Sequence, residues 1–160
     1  MLLQADDIEA LSVGAAKSPA ALFAAIAQVA ARRVDAGLVT AMRHDEAEST
    51  VERIYSSNEA AYPSGGRKPK RENGWGRKVL LEHRVLVTGG DDEMRETFPD
   101  HAIIFGLGLH SCVNVPLVSG GKCVGTLNVL AARANWSDGE IAIVRALGIA
   151  ALAGVLMLRT

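Results

Sequence analysis

The run "LHSCVNVPLVSGGKCVGTLNVL", Leu109 to Leu130, limits the fold more than any other stretch. Two apolar segments flank Gly120-Gly121, and each carries a cysteine and an asparagine. Glycine supplies the left-handed backbone that tight hairpins require, so the run is a β-hairpin. Its register follows from patterning. A two-residue turn at Gly120-Gly121 sets Val113 opposite Asn128 and mixes polar with apolar residues on both faces. A three-residue loop, Gly120 to Lys122, sets Ser119 opposite Cys123 and Asn114 opposite Asn128. One face then holds Val113, Val115, Leu117, Cys123, Gly125, Leu127 and Val129, and the other Cys112, Asn114, Val118, Val124, Thr126 and Asn128. Only this second register gives an apolar face, and such a face is what fixes register. It puts the cysteines on opposite faces, several residues apart along the ladder. That is well beyond the roughly 7 Å that a disulfide tolerates between Cα atoms. They read as small buried hydrophobes rather than a redox pair.

The rest of the chain arranges itself around this hairpin. A short helix is expected near Ala5 to Val13. A longer one opens at Ser18-Pro19, with Ser as cap and Pro at the first helical position, and carries Leu22, Ile26 and Val29 on one stripe to about Arg33. The runs "AGLVTAMRHD" and "STVERIYSSN", joined by an acidic turn, form another hairpin. Asn58 to Asn73 is a long loop rich in Pro, Gly and charge, a kind of segment that tends to carry function. A short helix near Trp75 to Glu82, a strand in "RVLVT" and helical pieces from Asp91 onward follow. The final helix starts at the capping box of Ser137 and Glu140. Strands joined by hairpins make an antiparallel sheet, the terminal helices cover one face, and the irregular middle covers the other.

Composition narrows the classes. The chain has 160 residues and a net charge of -1. That suits a single domain over 1–160 and gives no pull toward nucleic acid or membrane. No basic start followed by an apolar core marks a signal peptide. The longest uncharged apolar run, Ala146 to Leu158, is shorter than the roughly 20 residues that span a bilayer. A cytoplasmic protein is expected. His44, His83, His101 and His110 lack metal-ligand spacing, and no metal site is expected.

The hairpin "SCVNVPLVSGGKCVGTLNVL", with its Gly-Thr-Leu-Asn, resembles the C-terminal hairpin of GAF domains. The order of helix, hairpin, irregular lid, hairpin and helix matches that family over essentially the whole chain. The resemblance implies an α+β, GAF/PAS-like fold. It has five or six antiparallel strands, terminal helices on one face and a lid of loops and short helices on the other. It also implies a small-molecule pocket between sheet and lid, a sensory role in signal transduction, and dimerisation through the terminal helices. The Asn-Lys-X-Phe-Asp pattern of cyclic-nucleotide-binding members is absent. A bilin-attaching cysteine is absent as well, since Cys112 lies within a strand. One branch, the free methionine-R-sulfoxide reductases, is similar in size and enzymatic. Its cysteines belong in segments that here read "ENGWGRKVL" and "GGDDEMRETFPDHAIIFGLG", with none.

Within that frame Asn114, Thr126 and Asn128 are the candidate pocket floor, or else a polar patch that satisfies itself. Trp75 and Tyr62 are candidate walls, or plugs that seat the lid. Arg67, Lys68, Lys70, Arg71, Arg77 and Lys78 crowd the lid segment, either as an anion funnel with Arg77 at its mouth or as a solvated loop. No catalytic residue is expected, and the sequence names no cofactor. Three readings stand: a sensor that binds a small polar or anionic molecule, an enzyme of the reductase type, and an interaction module with a vestigial pocket. A homodimer through the terminal helices is expected.

Overall fold

The computed structural model describes residues 2–69 and 74–158. Two helices, α1 (Ala5–Lys17) and α2 (Pro19–Val34), lead into the strands β1 (Leu38–Asp45), β2 (Thr50–Ser56) and β3 (Arg67–Pro69). A short α3 (Gly74–Gly76) continues as a π-helical turn, Arg77–Leu81, into β4 (Leu86–Gly89). Next come α4 (Asp91–Thr97), α5 (His101–Gly106), β5 (Ser111–Ser119), β6 (Lys122–Ala131) and α6 (Asp138–Met157). The strands form one six-stranded antiparallel sheet in the order β3-β2-β1-β6-β5-β4. Asn58 to Asn73 is therefore not all loop. Arg67–Pro69 adds a short edge strand to β2, while Lys70 and Arg71 lie outside the described residues.

Local chemistry places the helices. Ser18 accepts a hydrogen bond from the Ala21 amide at 3.0 Å, with Pro19 at the first helical position, as the sequence indicates. Ser137 and Glu140 form the expected capping box at the start of α6. The first helix runs to Lys17, beyond the expected Val13. Near its start the Asp7 carboxylate is buried. It accepts from Arg32 at 3.0 Å and from Arg33 at 2.7 Å, pinning α1 to α2. Desolvation alone would raise its pKa, but Arg33, the Gln4 amide and Arg32 outweigh that and hold it down at about 2.

All the long helices share one face of the sheet. Leu22, Ile26 and Val29 of α2 and Leu147, Ala151 and Val155 of α6 pack against Val39, Val113, Val115, Leu127 and Val129. By length and composition α6 is apolar enough to cross a bilayer, a feature longer than the run Ala146 to Leu158 suggests. Here its inner residues lie on the sheet.

The hairpin register is right in the middle and different at the tip. Asn114 pairs with Asn128, but Ser119 pairs with Lys122, so the turn is the two-residue Gly120-Gly121, with φ of +58° and +79°. The lost residue is absorbed lower down, where Leu117 pairs with Gly125 and Val118 with Cys123, leaving Val124 as a bulge. A bulge reverses facing beyond it. Val124 therefore joins the helix-side core, and Cys123 turns to the lid side with Val51 and Leu80. The two cysteines thus share the lid face rather than lying on opposite faces. Neither forms a disulfide, and both are buried. The run from Cys123 to Leu130, which pairs with Cys112, still separates them by roughly 20 Å at about 3.3 Å per residue. A second bulge, at Ile54, lets both Ile54 and Tyr55 face the helices, where Tyr55 stacks on Phe23.

Candidate functional site

Three central strands contribute one polar row to the lid face. Thr40 of β1 pairs with Asn128 of β6, which pairs with Asn114 of β5. Their side chains form a chain. Asn114 Nδ2 donates to Asn128 Oδ1 at 2.8 Å, and Asn128 Nδ2 donates to Thr40 Oγ1 at 3.0 Å. All are buried, and Asn114 Oδ1 accepts from no described residue. The neighbouring row is apolar, with Leu38, Leu130 and Cys112. Burial pushes the Cys112 thiol far above its usual pKa, against the pull of a hydrogen bond from Asn114, so it is neutral.

Above this floor lies a cavity of about 240 Å³. Its walls come from Met42 and Val51 of the sheet, from Trp75 of α3, and from Phe98, Pro99 and Ile104 around α5. At one side sits a charged cluster. The Tyr62 hydroxyl donates to Asp100 Oδ2, and Lys68 Nζ lies 3.7 Å from the same oxygen. Burial first, and then the bond to Asp100, push the Tyr62 hydroxyl well above its ordinary pKa. The Arg53 guanidinium stacks 3.8 Å over the Tyr62 ring and donates through Nη1 to the Pro63 carbonyl at 2.8 Å. Arg53 makes no ion pair among the described residues, and its Nε is buried without an acceptor. The Trp75 indole Nε1 is likewise a buried donor with no acceptor there.

The structure brings Asn114, Asn128, Trp75 and Tyr62 together on this cavity. It separates two other candidates from it. Thr126 is buried on the same face, one pleat further on, with a hydroxyl that has no described partner, and it does not line the cavity. Arg77 points outward, pairs with Glu82 at 3.2 Å, and has a side chain 68% exposed. The first residue of a helical turn whose buried side is Val79 and Leu80 has no reach to the interior. Of the basic run, Lys68 lines the cavity. Arg53 was legible only as a polar residue in a strand, because its facing depends on the Ile54 bulge. The sequence analysis singles out no residue of 97–104 for the site, yet Thr97, Phe98, Pro99, Asp100 and Ile104 close one side of the cavity.

A second hollow of about 300 Å³ lies on the helix side, between the edge of β5 and α6, with His83, Arg145 and Ile149 among its lining. None of its lining residues carries a buried polar atom lacking a partner. Buried donors and acceptors without partners are costly, about 1–3 kcal/mol each, and native structures keep few of them. Asn114 Oδ1, Trp75 Nε1 and Arg53 Nε belong to residues that line the lid-side cavity, while the other such atoms among the described residues, on His44, Thr88, Thr126 and Arg133, lie away from it.

The GAF domain family matches the chain over residues 18–155. No curated protein matches the sequence. Among solved structures, the chain is similar to the GAF domain of a phosphoenolpyruvate-protein phosphotransferase from Coxiella burnetii. The TM-score is 0.75 at 13% identity, covering 96% of this chain and 93% of that one. It is similar to the GAF domain of a two-component sensor histidine kinase from Bacillus halodurans, with TM-score 0.65, 15% identity and coverage of 84% and 93%. It is also similar to a free methionine-R-sulfoxide reductase from Neisseria meningitidis, solved with its substrate, with TM-score 0.65, 20% identity and coverage of 99% and 96%. At these identities the likeness is one of fold.

Proposed function

The chain belongs to the GAF domain family, and we propose that it acts as a cytoplasmic sensory domain in signal transduction. It takes up a small polar or anionic molecule between sheet and lid and does not transform it. The observation that carries this reading is the cavity whose lining holds Asn114 Oδ1, Trp75 Nε1 and Arg53 Nε, each buried and each without a partner among the described residues. A reductase reading would need an activated thiolate. The cysteine on this cavity, Cys112, is instead held neutral by burial, and a neutral thiol is a poor nucleophile. The test is thermal shift against a library of metabolites, since a ligand that binds only the native state raises the melting temperature. Asn128→Leu should abolish the shift while circular dichroism at room temperature still reports the folded chain, at a lowered melting temperature, because Leu removes the group that bonds Asn114 and Thr40 across the floor. A library without a single stabilising compound would overturn the reading in favour of an interaction module.

The same proposal includes a homodimer through the terminal helices. Ile8 of α1 and Ile149 of α6 expose 52% and 74% of their surface, and Leu156 lies one turn further along the same helix as Leu152. Light scattering at micromolar concentration should give twice the 16.9 kDa chain mass; the mass of a single chain would contradict it.

A further inference from the structure

Resting on that reading of the cavity, we infer the class of molecule it takes: a short-chain carboxylic acid that also carries an O–H or N–H donor, a small hydroxy or amino acid. The argument starts from what the lining lacks. Among the described residues, two buried N–H donors, Arg53 Nε and Trp75 Nε1, have no acceptor, and one buried acceptor, Asn114 Oδ1, has no donor. Two donors with one acceptor call for a ligand that accepts more than it donates. One of the donors belongs to a cation. Asp100, the carboxylate on the cavity, is already engaged by the Tyr62 hydroxyl and Lys68, while Arg53 has no ion pair among the described residues. A guanidinium fits a carboxylate in shape as well as charge. The acid group therefore belongs on the Arg53 and Trp75 side, and its donor substituent over Asn114.

Size sets the chain length. A cavity of about 240 Å³ equals the volume of about eight water molecules at ~30 Å³ each. That admits a branched four- or five-carbon acid, on the order of eight heavy atoms. The remaining walls, Met42, Val51, Ile104 and Leu130, are apolar and suit an aliphatic end.

The probes follow from the parts. Titration calorimetry of the whole chain compares 2-hydroxy-3-methylbutanoate and valine with 3-methylbutanoate, which lacks the donor, and with isobutylamine, which lacks the acid. The hydroxy or amino acid should bind more than about tenfold tighter than 3-methylbutanoate, since an unsatisfied buried acceptor is costly. Isobutylamine should not bind. Arg53→Gln should weaken the acid more than about tenfold and Trp75→Phe several-fold. Equal affinity for 3-methylbutanoate and its hydroxy acid would remove the donor over Asn114, and binding of isobutylamine would remove the anion seat. Either result concerns wild-type protein and does not depend on a variant folding. If a neutral sugar or a nucleobase stabilises the protein and no acid does, this inference falls while the sensory reading stands. If nothing in the wider library binds, both fall.

Discussion

The two faces of the sheet are built from the same strands and do opposite things. On the helix side, Leu22, Ile26, Leu127 and Leu147 meet with essentially no exposure, and the buried Asp7 carboxylate is met by two arginines. On the lid side the buried residues include Thr40, His44, Thr88, Asn114, Thr126 and Asn128, and several of their polar atoms find no partner among the described residues. Close packing and full pairing stabilise a fold. A cavity with open valences lowers stability and prepares a site. The difference teaches that stability resides on one face and recognition on the other, so mutations should sort by face.

The largest effect belongs to the helix side. Leu147→Ala should lower unfolding free energy by about 2–5 kcal/mol, from lost burial and the cavity left behind, and leave ligand affinity at the residual folded population unchanged. Denaturant titration checks the first and calorimetry the second. Next, Asp7→Asn should cost about 3 kcal/mol by stranding Arg32 and Arg33 against a buried neutral group. That is a fall in melting temperature of roughly 10 °C for a chain of this size. Asp7 also predicts the acid limb. Its folded pKa is depressed to about 2. Its contribution is therefore fully present above the unfolded carboxylate value near ~3.9 and is lost as pH falls through about 2. The Asn variant should lack that component of acid destabilisation.

Most of the fold is legible in the sequence because its cues are local. The cap at Ser18 and the capping box at Ser137 each act within a few residues and lie where the pattern puts them, and the hairpin at Gly120-Gly121 is where the sequence places it, with a turn one residue shorter than expected. What escaped depends on bulges. A single extra residue at Val124 or Ile54 reverses facing beyond it, and nothing in a period-two pattern marks which residue is the extra one. Cys123, Val124 and Arg53 were all misassigned or overlooked for this one reason. Asn114 and Asn128 lie on the far side of the Val124 bulge from the turn, where the extra residue offsets the shorter turn, so their pairing is the expected one. The α5 wall escaped because it touches the cavity only through tertiary packing.

Smaller effects sharpen the contrast. Thr126→Val removes a buried hydroxyl that has no described partner and keeps its shape. It should leave stability unchanged or raise it by up to about 1 kcal/mol, whereas a polar-to-apolar change at a satisfied buried group destabilises. Smallest of all, Arg77→Ala should alter stability by less than about 0.5 kcal/mol and binding not at all, since its partnership with Glu82 is exposed.

The two tryptophans give the most direct measurement of the central claim, because the chain has no others and each reports on one environment. Trp136 donates its indole N–H to Ser111 Oγ at 2.9 Å, whereas Trp75 faces the cavity with its indole N–H unpaired among the described residues. In a nitrogen-15 correlation spectrum recorded during titration with 2-hydroxy-3-methylbutanoate and the wider metabolite library, a binding compound should move the Trp75 indole signal downfield as it gains an acceptor. The Trp136 signal should stay in place. A compound that stabilises the protein while shifting only Trp136, or neither indole, would contradict the claim that the lid-side cavity is the binding site.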